Sequence, residues 1–434
     1  MKDLGLVLSS AIFLLVLGAC SDIEADFAES TSPSAGYPSY QFEPKSRAVL
    51  VPLQVPSSRH PKISMRASGG VYMSGVYEEG DQTRLGLFIS HNGGDAFAPP
   101  VPISAPGVSV SSHGENSPSL VFGTRREAYV LFEQMAERGA TELMFARSLE
   151  AGHNFQEPYR ITDKDEISSN GFSSLWGAPN GHVFAAWIDG RDDDEDALVG
   201  TSSVYIARST DFGESFGKNI SVASGICPCC RPSMAFGQEG EIYLSWRHVF
   251  ENHSRDMVVA VSRDGGDSFG APVRVAEDDW QIAGCPHTGS QLLQVEDRLY
   301  VAWFTAGNNR EVGIQLTWSD DGAKSFAPAV HASAGVAYAN HPMLAQSDAG
   351  HVLLIFEGRA MGEEDQWGSV SPYLVEIGAG GELTEPTAAP GNGVSITYPA
   401  VTGDSQGGVF VAWTEPTEEG TQIVLARGRR TREQ

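Results

Sequence analysis

Apolar and polar residues alternate along most of this chain in short runs that predict β-hairpins. Each run is rich in Val, Phe, Tyr and Trp, and a polar, Gly-containing turn separates it from a second such run. A period of two with short turns of this composition is typical of antiparallel strand pairs, and the helical period is absent. Seven such hairpins follow one another, at residues 60–79, 117–134, 172–191, 231–249, 286–305, 341–358 and 398–415.

A turn signature recurs five times between these hairpins. Each copy has Ser, then Asp, Asn or Glu two positions later, then usually Gly after two more, and a closing Phe; the fifth copy has Ala323 in place of Gly. Asx side chains accept hydrogen bonds from nearby amides and Gly adopts positive φ, so the pattern predicts a tight turn with an aromatic plug. The closing residues lie 53 to 61 positions apart: Phe97, Phe155, Phe216, Phe269 and Phe326.

The repeated unit is therefore an antiparallel sheet of four strands, and such units close radially into a β-propeller. We predict an all-β chain with seven blades, since there are seven hairpins; six blades, with one hairpin peripheral, is the alternative. The last blade has no room for a fourth strand before Gln434. The segment AVLVPLQV at residues 48–55 can supply that strand and close the ring.

Propeller geometry predicts which residues share a face. The starts of the inner strands and the loops between second and third strands open on one face, while the five turns lie on the other and are structural. Six of the eleven histidines fall in segments of the first face. We therefore expect the functional residues there, among His60, Arg59, Arg231, His287, His341 and Tyr398 at strand starts and Asp189, Arg191, Arg247, Arg310, Glu357 and Arg359 in loops.

The turn signature resembles the Asp-box, or bacterial neuraminidase repeat, of the sialidase superfamily, over nearly all of the chain after its leader. Sialidases, which have six blades, hold a substrate carboxylate with three arginines, and use a Tyr activated by Glu as nucleophile and an Asp as acid/base. Ser58-Arg59-His60-Pro61 keeps the Arg and Pro of their Phe-Arg-Ile-Pro segment but neither apolar residue. The resemblance implies a catalytic set and a substrate-binding set. The catalytic set is Tyr398, Arg59, Arg231, Asp189 and Glu357; the binding set is Arg191, Arg247, Arg310, Arg359, His60 and His341.

Four of the five cysteines lie at the starts of two consecutive inner strands. Cys227, Cys229 and Cys230 precede the fourth hairpin and Cys285 precedes the fifth, so we expect one cluster near the axis with His287 beside it. Three interpretations stay open: disulfides that staple two blades, a copper or zinc site completed by His287, His60 or His341, and a redox-active pair of adjacent cysteines.

The amino terminus predicts export. Residues 1–19 have a short basic start and an apolar run followed by Leu-Gly-Ala-Cys, which resembles the bacterial lipobox with Cys20 as the lipidated residue. An ordinary signal with an incidental cysteine is the alternative. Residues 20–45 are rich in Ser, Pro, Ala and acidic groups and predict a tether, and residues 46–434 form the propeller domain. The expected location is the bacterial outer membrane, with the lipid as the only membrane contact.

The formal net charge of −26 argues against nucleic acid as a partner, because phosphates would be repelled. Two functions remain. One is a sialidase-like exo-acting hydrolase of sialylated or other acidic glycans. The other is a non-catalytic propeller that binds a glycan, a metal or a partner protein on the same face, because propellers host many activities. In both, Trp187, Trp246, Trp303 and Trp413 are expected to pack in the core.

Overall fold

The computed structural model describes residues 40–42, 48–49, 57–66, 69–136, 140–163, 170–192, 202–346, 351–361, 369–391 and 393–430. The predicted signal (1–19), Cys20 and most of the predicted tether lie outside the described residues. Nowhere in these ranges is there a helix of the length and apolarity needed to cross a bilayer. All regular structure in these ranges is β.

The strands form seven antiparallel sheets, which we number as blades in chain order. Within blades 1 to 6, strands follow one another in sequence from the inner strand outward. Blade 1 contains Ser58–Met65, Val71–Glu79, Gln82–Ser90 and Val101–Pro102. Blade 2 contains Val110–Ser111 with Ser119–Phe122, then Ala128–Met135, Thr141–Ser148 and Tyr159–Arg160. Blade 3 contains Asn170–Gly177, Val183–Asp189, Ser203–Ser209 and Ile220–Ala223.

Blades 4 to 7 repeat the arrangement. Blade 4 contains Ser233–Phe236, Ile242–Val249, Arg255–Ser262 and Val273–Arg274, and blade 5 contains Gln291–Val295, Arg298–Thr305, Gly313–Ser319 and Val330–His331. Blade 6 contains Val336–Gln346, Val352–Ala360, Ser371–Ile377 and Thr387–Ala388. Blade 7 contains Thr397–Gly403, Gly408–Thr417 and Gly420–Arg430, with Tyr40–Phe42 and Ala48–Val49 outermost. The inner strands contact one another in order around a closed ring, and the inner strand of blade 7 contacts that of blade 1. The predicted seven-bladed propeller is confirmed.

The apolar core lies between neighbouring blades rather than inside any one of them. Each blade is covered on both faces, so middle strands are buried at nearly every position; all seven residues of Val183–Asp189 are buried. This explains why these strands carry continuous apolar runs instead of strict alternation. The four tryptophans of the second strands, expected to pack in the core, are at most 1% exposed: Trp187, Trp246, Trp303 and Trp413.

The Asp-box turns connect the third and outer strands, on the face opposite the inner-strand starts. In the third copy, Ser209 Oγ accepts a hydrogen bond from Gly213 N at 2.9 Å, and Asp211 Oδ1 accepts one from Ser215 N at 3.0 Å. All five closing phenylalanines pack against an inter-blade core cluster. The polar side chains of these turns form hydrogen bonds within the turn itself, as expected for structural elements.

The ring is closed by the amino-terminal segment. Ala48 and Val49 pair with Leu425 and Val424 of the carboxy-terminal strand, which confirms the predicted closure for the described part of residues 48–55. Tyr40–Phe42 also pairs with this strand, opposite residues 428–430, although it falls within the stretch predicted as tether. The outermost strand of blade 7 therefore comes from two segments of the chain's beginning.

We predict that this closure is needed for stability. A chain that starts at residue 57 leaves the edge of the carboxy-terminal strand unpaired, and an open edge also promotes aggregation. Its melting temperature should fall by about 5 °C or more relative to the full chain. A chain that starts at residue 38 retains both pairing segments and serves as the control. Equal melting of all three proteins would contradict the role of the closure.

Candidate active site

A central cavity of about 450 Å³ lies on the propeller axis and is lined by the inner-strand regions of all seven blades. Most of its wall is made of small and apolar side chains and main chain. Its ionisable side chains are Lys62, Glu115, Arg231, His341 and Tyr398. This set combines two cations, a carboxylate, an imidazole and a phenol in one concave site, and is therefore the candidate active site.

Local backbone geometry directs several of these side chains. Five inner strands have, at or near their start, a non-glycine residue in the left-handed region, where φ lies between 50° and 56°. Such residues are uncommon and each costs roughly 1 to 3 kcal/mol, so the surrounding fold must hold them in place. They belong to blades 1, 3, 5, 6 and 7: His60, Phe172, His287, His341 and Tyr398.

The strand register slips at four of these five positions. In blades 1, 3, 6 and 7 the pairing between inner and second strands jumps across the left-handed residue, which is the signature of a β-bulge. A bulge leaves one residue unpaired and re-aims its side chain. Proline follows directly in three cases, at Pro61, Pro342 and Pro399, and supplies no amide to the pairing that the bulge interrupts.

Tyr398 stands between two histidines. Its ring centroid lies 4.4 Å from that of His341 and 5.6 Å from that of His60. Its hydroxyl oxygen lies beside Gly114, where a Cβ atom would come within 2.8 Å of it. Burial, and the charges of Glu115 and Glu357, raise the pKa of Tyr398 above its usual range. The phenol is therefore protonated at neutral pH.

Glu357 holds both His341 and Tyr398 in place. Its two carboxylate oxygens bind His341 Nδ1 at 2.8 Å and accept a hydrogen bond from Tyr398 N at 2.7 Å. Burial lowers the pKa of His341, but the hydrogen bond and charge of Glu357 outweigh it and the net shift is upward. On the other side of the ring, His341 Nε2 lies 3.9 Å from Glu115 Oε1. Glu357 thus positions His341 of its own blade 6 and Tyr398 of the neighbouring blade 7.

Two cations lie deeper in the cavity. Arg231 is buried, donates to the carbonyl of Ser117 and has an Nε atom without a hydrogen-bond partner among the described residues. The side chain of Lys62 has no hydrogen-bond partner among the described residues, and the charges of Arg231 and Glu115 act on its ammonium group. Burial, then Arg231, lowers the pKa of Lys62 to about 8, with Glu115 acting in the opposite direction. Both groups are therefore cationic at neutral pH.

The other predicted arginines do not line this cavity. Arg59 forms an ion pair with Glu78 at 2.6 Å, and Arg310 forms one with Asp278 at 2.5 Å. Arg247 is fully buried and donates to three main-chain carbonyl groups. Arg359 lies over the ring of Tyr338 at 5.1 Å. The structure thus brings Arg231 alone, of the six arginines predicted for catalysis or binding, to the central cavity.

Asp189 and Arg191 form a separate structural pair. Asp189 is fully buried and accepts hydrogen bonds from Trp187 Nε1 and from Arg191. Arg191 also binds Asp163 at 2.8 Å. Neither residue lines the central cavity, so the structure keeps this predicted catalytic aspartate apart from Tyr398.

Two cavity residues escaped sequence reasoning. Lys62 lies two positions after the left-handed residue His60, and Glu115 lies between Val110–Ser111 and Ser119–Phe122 of blade 2. The weak signal for both was their position beside an inner-strand start. Which of several neighbouring side chains points to the axis depends on the bulge, and the sequence pattern does not reveal it.

The predicted cysteine cluster comes together next to the cavity. The sulfur atoms of Cys227, Cys229 and Cys230 lie within 4.8 Å of one another, and Cys229 forms a second such group with Cys285 and His287. The first group is buried, while Cys285 and His287 are exposed. A group of residues that can hold a metal ion therefore exists where the sequence predicted one.

No protein-family model and no curated protein matches this sequence. Solved structures do match. Polysaccharide lyase Uly1 is 14% identical, with a TM-score of 0.54, covering 85% of this chain and 89% of its own. A protein of unknown function from Dyadobacter fermentans is 15% identical, with a TM-score of 0.50, covering 75% of this chain and 100% of its own.

A Hadza microbial sialidase is 14% identical, with a TM-score of 0.48, covering 80% of this chain and 73% of its own. At these identities the likeness concerns the fold alone. The chain folds as a seven-bladed β-propeller. The activity has to be argued from the residues of the central cavity.

We predict that His60 makes the protein sensitive to acid. Burial, then the neighbouring positive charges, lowers its pKa to about 3 in the folded chain, against about 6.5 in an unfolded one. As pH falls below about 6.5 the unfolded chain gains a proton that the folded chain rejects, so folding stability declines down to about pH 3. The charged groups involved are Arg59, Lys62, Arg231 and His113.

The test compares His60→Asn with the wild type, because Asn also tolerates positive φ. Urea unfolding at pH 7 and pH 4 should show a smaller loss of unfolding free energy for His60→Asn. His91, which is exposed in the first Asp-box turn, provides the matched control as His91→Asn. If His60→Asn and the wild type lose stability equally, the buried neutral histidine is not the cause.

Proposed function

We propose that this protein is an enzyme that cleaves carboxylate-bearing glycans in its central cavity, with Tyr398 as the reacting group. The observation that carries the proposal is the presence of two cations, the buried Arg231 and the half-buried Lys62, in one cavity with this phenol. A chain with a net charge of −26 that places two cations at its axis has a site suited to an anion. Arginine suits a carboxylate in particular, because its donors match the two oxygens.

Hydrolysis of a sialoside is the first reaction that these groups support. Tyr398 would pass its proton to Glu115, the carboxylate in the cavity wall, and its oxygen would attack the anomeric carbon as the bond to the aglycone breaks. Glu115 would hand that proton on to the departing aglycone oxygen. Water would then release the sugar from the tyrosine. Arg231 and Lys62 would hold the carboxylate of the sugar. The motif resemblance and the presence of Glu115 in the same cavity as Tyr398 favour this reaction.

Elimination from a uronic acid is the second candidate, and the raised pKa of Tyr398 favours it. Here Glu115 would take the proton from the carbon next to the carboxylate, the bond to the leaving oxygen would break as a C=C bond forms, and Tyr398 would give its proton to the leaving oxygen. Transfer of the proton from Glu115 back to Tyr398 would then restore the site. Arg231 and Lys62 would stabilise the negative charge that builds on the carboxylate. The fold is shared with polysaccharide lyase Uly1, which supports the proposal at the level of the fold.

The substitution Tyr398→Phe tests the proposal. It keeps the ring between His60 and His341 but removes the hydroxyl, so turnover of an acidic glycan should fall by about 10²- to 10⁴-fold. Tyr338→Phe is the control, because Tyr338 also has positive φ and is largely exposed outside the cavity. Release of free sialic acid identifies hydrolysis, and an ultraviolet-absorbing unsaturated sugar identifies elimination. Undiminished turnover by Tyr398→Phe would refute the role of the phenol.

We also propose that the chain is an outer-membrane lipoprotein held through Cys20. The support is the lipobox-like Leu-Gly-Ala-Cys sequence and the polar stretch that follows it. In bacteria that express the chain, labelled palmitate should be incorporated into the wild type and not into Cys20→Ala. Labelling of both proteins would place the lipid elsewhere.

A further inference from the structure

Three cysteines between blades 3 and 4 form a compact buried group. Cys227, Cys229 and Cys230 are each at most 3% exposed, and Phe172 and Val249 pack against them. The sulfur of Cys227 lies 3.6 Å from that of Cys229 and 3.7 Å from that of Cys230. Three thiols this close, shielded from water, are unusual in a chain with five cysteines.

The spacing of the sulfur atoms is that of ligands around one ion. Two thiolates bound at about 2.3 Å to a common metal, with tetrahedral or trigonal angles, lie roughly 3.8 to 4.0 Å apart. The observed separations of 3.6 and 3.7 Å come close to this. A disulfide would require about 2.05 Å. Small side-chain shifts therefore suffice to bind an ion.

Two arginines supply the charge that buried thiolates need. Arg255 Nη1 lies 3.7 Å from the sulfur of Cys227. The positive charge of Arg247 lies near enough to Cys227 and Cys230 to attract a negative charge on either sulfur. Both arginines are buried. Three thiolates, one monovalent ion and two guanidinium groups would together be neutral, which limits the penalty of burial.

The number and the kind of ligands in this group of three cysteines decide which metal ion it can bind. Soft thiolate ligands favour Cu(I) and Zn(II), but structural zinc sites are closed by four ligands. No fourth His, Cys, Asp or Glu of the described residues joins the buried group of three. Three thiolates in a plane are a normal coordination for Cu(I). Cys285 and His287 are exposed and form a separate group with Cys229.

We propose that Cys227, Cys229 and Cys230 bind one Cu(I) ion as a three-coordinate thiolate site. Cys285 and His287, which share Cys229 with it, form the route by which the ion enters from solvent. Binding releases the remaining thiol protons and involves no change in oxidation state. This site is independent of the cleavage reaction proposed for Tyr398.

The experiment uses the full-length reduced protein without oxygen, titrated with Cu(I) against a chromophoric Cu(I) chelator and, in a parallel arm, with Zn(II). One Cu(I) per chain should bind and be released on acidification as the ligands protonate. Thiol alkylation followed by tryptic mass spectrometry locates the site. Cu(I) should protect the three thiols in the peptide 219–247 and leave Cys285, in the peptide 275–298, open to alkylation.

Variants separate the two groups of cysteines. Cys229→Ser should weaken Cu(I) binding by about 100-fold or more, since it removes a direct ligand. Cys285→Ser should leave affinity and protection unchanged and only slow the uptake of the ion. Melting curves show whether each variant folds. If Cys229→Ser does not fold, the protection of the wild-type thiols from alkylation by Cu(I) tests the proposal by itself.

Three results would overturn the proposal. One is no protection of peptide 219–247 by Cu(I). Another is Zn(II) binding at the same three thiols in the presence of competing Cu(I). The third is loss of affinity in Cys285→Ser equal to that in Cys229→Ser.

Discussion

Pairing between the two ends of the chain is the constraint on which the candidate site depends. Tyr40–Phe42 and Ala48–Val49 complete the blade formed by the carboxy-terminal strands, so the ring closes and blades 1 and 7 become neighbours. Across this junction His60 N donates to Thr414 Oγ1 at 3.0 Å. The same junction brings the ring of His60 to that of Tyr398, although the two lie at opposite ends of the sequence. Both blades that meet at this junction line the axial cavity, through Lys62 and Tyr398.

The site also depends on strained backbone at the inner-strand starts. His341 and Tyr398 occupy left-handed positions next to bulges, and Glu357 on a middle strand binds the side chain of one and the amide of the other. A rigid stack of blades can hold such strain because core packing between blades over-determines the inner strands. The result is a phenol held between two histidines in the same cavity as Arg231 and Lys62.

Much of the fold could be predicted from sequence, because local chemistry repeats. Hairpins and Asp-box turns are set by short-range patterns, so blade number and the closing role of residues 48–49 followed from them. Tyr40–Phe42 did not, since three residues in a polar stretch carry no pattern. The arginines show the limit more clearly: Arg310 binds Asp278 and Arg59 binds Glu78, and such pairings depend on the three-dimensional arrangement. Lys62 was missed because a bulge, not strict alternation, decides what faces the axis.

Recognition of a carboxylate by Arg231 and Lys62 in the axial cavity is tested most directly by ligand binding. Calorimetry at pH 7 should show that glucuronate or N-acetylneuraminate binds the wild type at least about tenfold more tightly than glucose. Lys62→Met should lose most of this preference, and Lys324→Met, a surface change, should keep it. The preference should also fade above about pH 8 in the wild type, where Lys62 loses its proton. Equal binding of the acidic and neutral sugars, or an unchanged preference in Lys62→Met, would contradict the claim.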